Sequence, residues 1–554
     1  MEQEKVLSCD TVIAGGGIAG LVSALELLQN GQQVIIIDRD TPERLGGLAR
    51  WAFGGMALSQ TTQQKRMKIP DSPSILLNDW HSFAEFSDED IWPKAWAKEY
   101  SDQNYEKVYQ WLKSIGLSFL PAVNWVERGL YTPGNSLPRY HVLWGTGWQL
   151  TETVIAQLSP YIKNEKLKIF HQHQVLETLF HQEELIDEKK CIGVKVKNEL
   201  SDVTFNVNAE NTIIACGGIN GSIEKVKQHW PYKADQVSKK ILNGANPLSD
   251  GKLHEHIEKI GGNITHTDKM WNYAAGIHHP QAEFEGHGLS LIPCKSAIWL
   301  NHLGKRIGPM PLVTGFDTHY LCEQVIKQEK SWTWQILNEE IAKKELAVSG
   351  SLHNPSIKNK KFFTFLKEIL LGNQRLINQL EQESDDFICA DSLIELTDKM
   401  NALTNENYIK LDTIKSEIAQ YDDELAKPKN LQNDEQIRRI VHARQWKPDK
   451  LRTCQPKPIV SSNKKQKLIA IRLHLISRKS LGGVQTNLQS QVLKESGDII
   501  PHLYCIGEAA GFGGGGASGK RSLEGTFLSG CILTARNAAQ AIIINQKLKT
   551  KISR

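Results

Sequence analysis

Gly15, Gly17 and Gly20 stand at G-x-G-x-x-G spacing between two segments of opposite character. Residues 11–14 before them are apolar and partly β-branched, the pattern of a short buried strand. After them Ile18, Leu21, Val22, Leu25 and Leu28 recur at helical spacing, and Asn30-Gly31 ends the run. Residues 34–37 (VIII) read as a second buried strand, closed by Asp38. A chain that begins this way is committed to a βαβ unit. The three glycines have separate roles. Gly15 makes the tight turn, Gly17 opens the backbone N–H groups to a pyrophosphate, and Gly20 lets helix and strand pack closely. The helix N-terminus favours an anion there. Asp38 is placed to accept from ribose hydroxyls.

The chain has 554 residues, which at roughly 150 per domain predicts about three to four structural units. Its 66 Lys+Arg against 62 Asp+Glu leave a net charge of +4, too little for a whole-molecule field that would hold nucleic acid. The apolar runs fall short of the roughly 20 residues of a membrane span, so no transmembrane segment is expected. The N-terminus shows no basic-then-apolar secretory pattern, and the nine cysteines include no CxxC pair. Reduced thiols in a cytoplasmic protein are the expectation. The His-x-His pair at 171/173 sits at strand alternation, while the pair at 254/256 sits on a predicted helix at i, i+2 and faces different sides; no metal is expected.

Further along, residues 71–148 read as helices and loops, 168–175 as a strand, 191–196 with 203–207 as a hairpin, and 212–215 as a buried strand. From about residue 261 to 462 Lys, Asn, Gln and Glu rise and helical periodicity dominates, as at 362–371 and 394–403, the latter started by Asp391-Ser392. The polar stretch 461–465 reads as a linker back, followed by strands at 468–475 and 503–506 and a closing helix at 525–541. The basic end, QKLKTKISR, reads as a solvated tail. The fold class expected is α/β: a Rossmann-like dinucleotide domain from residues 1–265 and 462–554, with an α+β catalytic or capping domain, 266–461, inserted between.

A ligand as long as FAD needs contacts beyond the first turn, and three more loops offer them. Gly46-Gly47 and Gly54-Gly55 bracket Trp51. TIIACGG ends a second strand, and LYCIGEAA ends a third with Glu508 ready to accept from ribityl hydroxyls.

With these segments in hand, the chain resembles the FAD-dependent oxidoreductases of the fumarate reductase, succinate dehydrogenase and 3-ketosteroid Δ1-dehydrogenase superfamily, and within it the bacterial FAD-binding dehydrogenases. The motifs that carry the likeness run nearly end to end. They include LGGLARWAFGG, RYHVLWGTG, TIIACGGINGS, MWNYAAGIHHP, RLHLISRKSLGGVQTNL and LYCIGEAAGFGGGGASGKRSLEGTFLSGCILTAR. The resemblance implies an FAD site made of Gly15, Gly17, Ile18, Ala19, Gly20, Asp38, Arg39, Gly46, Gly47, Trp51, Gly54, Gly55, Val175, Ala215, Gly217, Asp250, Glu508, Ala509, Gly525, Thr526 and Leu528. Where relatives attach flavin through a His, the matching position here is Leu48, so non-covalent FAD is implied.

Flavin N5 carries the hydride, and the protein must handle the partner proton. The tyrosine of the steroid enzymes' GRSYPGAG segment has no counterpart in GASGKRSLEG, where Lys520 and Arg521 stand. The histidine of the fumarate enzymes' HHTMGG segment aligns with Lys479. The catalytic candidates are therefore Arg521, Lys520, Lys479, Arg478, Tyr140 and His279. The expected activity is hydride transfer between flavin and a CH–CH bond beside a carbonyl, with a small-molecule substrate, a hydrophobic ketone, and a separate electron acceptor. A fumarate-reductase-like enzyme using Arg521, an amine or amino-acid oxidase, and a flavin-containing binding protein are the alternatives.

Overall fold

The computed structural model describes residues 6–182, 189–230, 240–308, 316–460 and 466–552. The linker expected at 461–465 and the last two residues of the basic tail lie outside the described residues.

Two eight-stranded sheets organise the molecule. In the first, Val6–Ala14 lies between Val34–Ile37 and Thr204–Ile214, all parallel. Leu167–Phe170 extends one side and Ile499–Cys505 the other, again parallel. The strand Val34–Ile37 is a continuous apolar run buried throughout, and Val6–Ala14 and Thr204–Ile214 are fully buried over their last four residues. The register aligns Ala14 with Ile37 and with Ile214, and Ile214 with Cys505. Four carboxyl ends therefore share one edge, and Gly15, Asp38, Ala215 and Ile506 follow them directly, where open parallel sheets bind ligands. The helix Ile18–Gln29 packs on this sheet beside the closing helix, Thr526–Ile552.

Several elements differ from the sequence reading. The strand expected at 168–175 is broken, because Gln172 takes φ 57° and divides Leu167–Phe170 from His173–Gln182. The pieces expected at 203–207 and 212–215 are one strand, Thr204–Ile214. The closing helix runs eleven residues past 541 and is long and apolar enough to cross a membrane, but 67% of its apolar window is buried inside the protein.

The second sheet is mostly antiparallel. Its centre is Leu468–Ser480, which pairs with Trp332–Asn338, Phe387–Ala390, Met270–His278 and Ile241–Asn243. Expected in the returning dinucleotide segment, this strand instead forms the core of the second sheet, where its apolar run is buried on both faces. The strand Ile241–Asn243, in the stretch 1–265 read as part of the dinucleotide domain, belongs to the same sheet. Helices Phe362–Leu371 and Leu393–Thr404 form as expected, the second capped by Ser392, whose Oγ accepts from Glu395 N–H. The last residues of Leu468–Ser480 reach the first sheet's carboxyl edge and bring Arg478 and Lys479 there.

Candidate active site

The first turn is built as its glycines require. Gly15 takes φ +119°, and a Cβ there would stand 2.3 Å from the Ala215 carbonyl oxygen. A Cβ on Gly20 would meet the Gly15 carbonyl oxygen at 2.1 Å, so the helix can lie this close only with glycine. Gly17 is the N-cap of Ile18–Gln29 with no side-chain cap, and nothing lies within 4 Å of where its Cβ would be. The first-turn N–H groups thus face an open cradle, which fits a pyrophosphate.

A single cleft runs from this cradle across the sheet edge to the junction with the second sheet. Gly15, Gly17, Ile18, Ala19, Asp38, Arg39, Gly46, Gly47, Gly54, Gly55, Val175, Ala215, Gly217, Asp250, Glu508 and Leu528 all line it. Five of the expected residues do not. Gly20 packs beneath the turn, and Trp51 turns toward Trp148, with ring centroids 6.4 Å apart. The Ala509 carbonyl accepts from His254 at 3.1 Å. The Gly525 carbonyl accepts from Ala57 N–H at 2.8 Å, and Thr526 Oγ1 donates to the Leu523 carbonyl at 2.9 Å.

At one end Asp38 accepts from the Gly16 and Asp40 N–H groups, which brace the turn, and burial raises its pKa. Arg39 donates to Asp250 at 2.9 Å and to Glu199 at 3.2 Å. Midway, Glu508 accepts from Ser480 N–H at 2.9 Å, and removal from bulk water pushes its pKa up to about 7.

The far end carries the titratable groups. The strand Tyr140–Val142 pairs with Gly55–Ala57, and the Tyr140 ring fills the space a Cβ on Gly55 would need. Tyr140 and Tyr273 both line the cleft, and withdrawal from water, with Glu524 nearby, raises both phenols above their ordinary value. Glu524 Oε2 accepts from Tyr273 Oη at 2.9 Å and from Trp271 Nε1 at 3.0 Å. Lys479 places its Nζ 4.2 Å from the Phe527 ring centroid, and withdrawal from water lowers its pKa to about 8 despite Glu524 and Glu508. Arg478 donates through Nη1 to the Gly244 carbonyl at 2.6 Å, while its buried Nε has no partner. An unpartnered guanidinium N–H and an ammonium on the wall suit an electron-rich group in the cleft. Phe512 and Phe527, with ring centroids 5.0 Å apart, make part of the wall apolar.

Three of the catalytic candidates stand apart from the cleft. Arg521 lies outside the cleft, its Nε donating to Asp317 at 3.1 Å and its Nη1 to Glu85. Lys520 also lies outside, 3.2 Å from Glu85. These two carboxylates neutralise the loop cations before any ligand could. His279 is stacked on His287 with centroids 4.2 Å apart and does not line the cleft. Lys479, Arg478 and Tyr140 do line it.

Three residues escaped the sequence reading. Trp271 and Tyr273 stand at i and i+2 on Met270–His278, so they share a face, a signal present in the alternation. Glu524 had a weaker one, a lone acid in a turn of small and apolar residues.

Comparison with known proteins agrees with this geometry. The family model described as "FAD binding domain" matches residues 10–528. A KsdD-like steroid dehydrogenase of Mycobacterium tuberculosis (strain CDC 1551 / Oshkosh) is 35% identical over 553 residues, covering 96% of this chain and 95% of that protein. Among solved structures, 3-ketosteroid Δ1-dehydrogenase from Sterolibacterium denitrificans, in complex with 1,4-androstadiene-3,17-dione, superposes with a TM-score of 0.68 at 15% identity, covering 97% of this chain and all of that one. The open conformation of a flavocytochrome c3 fumarate reductase gives 0.66 at 17% identity, covering 97% and 78%.

Proposed function

Because the chain belongs to the FAD-binding domain family and is an FAD-dependent dehydrogenase, we propose that it oxidises a hydrophobic ketone of 3-ketosteroid type at the CH–CH bond beside the carbonyl, with FAD held non-covalently. The observation that carries this reading is Glu524. One of its oxygens is engaged by Tyr273 and Trp271, and it stands on a cleft wall shared with Tyr140, Lys479 and two phenylalanines.

FAD, when bound, supplies the acceptor for the hydride that leaves one carbon. The chain's own residues handle the other proton and the carbonyl. Glu524 takes the proton from the carbon next to the carbonyl, since neither phenol is ionised near neutral pH. Tyr273 and Trp271 hold that carboxylate in place by donating to Oε2. Tyr140 donates a hydrogen bond to the ketone oxygen, and the Lys479 cation favours the negative charge that develops there. Electrons then pass to a separate acceptor. Neutralisation of Arg521 by Glu85 and Asp317 speaks against a dicarboxylate substrate, which needs free guanidinium groups.

The test is an anaerobic titration of the yellow protein with a saturated 3-ketosteroid, read in the visible flavin band. Bleaching is expected. A band unmoved by the ketosteroid, yet bleached by dithionite and restored by fumarate, would overturn the reading.

A further inference from the structure

The helix Phe362–Leu371 (FFTFLKEILL) has no buried residue, although seven of its ten side chains are apolar. Phe365 and Ile369 turn partly inward, with the Phe365 ring 5.8 Å from Trp144. The others stand in solvent: Phe363 is 84% exposed, Leu371 73%, Leu370 61%, Phe362 51% and Leu366 40%. At about 100° per residue, Phe362, Leu366, Leu370 and Phe363 share an arc of about 100°. A patch of this kind on a well-packed domain marks an interaction surface.

Along the sequence the charges that flank it are nearly all of one sign. Lys358, Lys360 and Lys361 precede the helix, Lys367 lies on it and Arg375 follows. The only acid from 351 to 380 is Glu368, which is partly buried, accepting from Ser356 Oγ at 2.5 Å and standing 3.7 Å from Arg375 Nε. The segment is also tied to the rim of the site. Ser349 lines the cleft, Ser351 N–H donates to the Trp51 carbonyl at 2.8 Å, and Lys358 Nζ lies 3.9 Å from the Trp148 ring centroid.

We propose that this helix and its basic flank dock the protein on an anionic lipid surface, the aromatic and leucine side chains entering the interface and the lysines meeting the headgroups. A short apolar helix edged by cations is built for that boundary. Docking sets the cleft rim near the layer in which an apolar ketone dissolves. That last consequence rests on the proposed function; the docking itself does not.

The test is flotation of the FAD-loaded protein with phosphatidylcholine–phosphatidylglycerol vesicles and with pure phosphatidylcholine vesicles, read as protein in the lipid band. Binding to the anionic vesicles is expected, weakened by high salt. The double variant Phe363→Asp, Leu371→Asp should lower the partition coefficient by more than about tenfold, and Lys360→Glu with Lys361→Glu should remove the preference for anionic lipid. Both should keep their flavin and their melting temperature. No flotation at low salt would overturn the proposal, as would flotation untouched by either variant. A concentration-dependent dimer in sedimentation, abolished by Phe363→Asp with Leu371→Asp and with no lipid binding, would assign the face to a second copy instead. Ketosteroid turnover is not part of the readout, so failure of the functional reading leaves this result intact.

Discussion

Tyr273 donates its phenolic proton to Glu524 at 2.9 Å across the junction of the two sheets. Tyr273 comes from a strand of the second sheet, and Glu524 from the turn that leads into the closing helix. The bond joins residues 251 positions apart and draws Trp271 in through the same oxygen. It fixes a carboxylate at the point where the apolar cleft meets its cations.

Replacing that carboxylate by its amide keeps the shape and removes the base. Glu524→Gln should retain FAD yet bleach with a ketosteroid about 10²–10⁴-fold more slowly. Stopped-flow reduction beside a flavin-content measurement checks it. A rate within about threefold of the parent would remove Glu524 from the proposed chemistry.

The open space at Gly17 separates folding from cofactor binding. A Cβ there meets nothing within 4 Å, so Gly17→Glu should fold. Its carboxylate would occupy the anion cradle and repel a pyrophosphate. The expected product is a colourless protein with an intact circular dichroism spectrum, checked by the ratio of flavin to protein absorbance.

Lys479 should govern the alkaline side of the rate profile. Withdrawal from water lowers its pKa to about 8, so its charge is present below that pH and lost above it. The rate of flavin reduction should fall as pH rises through about 8. Lys479→Met should be slow throughout and lack that step. The sign for stability is opposite: between the lowered folded value and the unfolded value of about 10.4 the unfolded chain binds more protons, so this residue's contribution to stability grows with pH.

Arg521 should prove structural. Arg521→Ala leaves Glu85 and Asp317 without their shared cation, and the protein should lose roughly 1–3 kcal/mol of stability, seen as earlier thermal unfolding. Its KM for a ketosteroid should change little. A large KM effect with unchanged melting would return Arg521 to substrate binding.

Asp386 anchors the second sheet. It is fully buried, accepting from Arg472 Nε at 2.7 Å and from His278 Nδ1 at 2.8 Å. Burial opposes its charge, but these bonds, with His474 and Arg472 nearby, hold its pKa well below the ordinary range. Its stabilisation is therefore present above the unfolded value of about 3.9 and is lost as pH falls below it. Asp386→Ala should destabilise by roughly 1–3 kcal/mol, because the partly buried Arg472 and the His278 ring lose their acceptor. Urea melts at neutral pH measure the cost.

How far the site was legible follows from the range of the interactions. The G-x-G-x-x-G turn, the strands around it and the loops at 46–55, 215–217 and 508 were readable because each is set within a few residues: a backbone turn, an apolar run, an N-cap. Arg521 and Lys520 misled because a basic pair in a glycine-rich loop looks free until Glu85, some 435 residues earlier, is brought beside it. The strand Leu468–Ser480 was recognisable as a strand, but its apolar pattern carries no mark of which sheet it enters.

The sequence by itself determined the dinucleotide turn, the order of elements and the apolar core, since local sterics and hydrophobic periodicity act along neighbouring residues. Only the tertiary structure decided which charges remain available to chemistry. It neutralised Arg521, left Arg478 Nε without a partner and joined Tyr273 to Glu524. The physical reason is that a side chain's charge and proton affinity are set by what packs against it, and here those neighbours arrive from hundreds of residues away where two sheets meet.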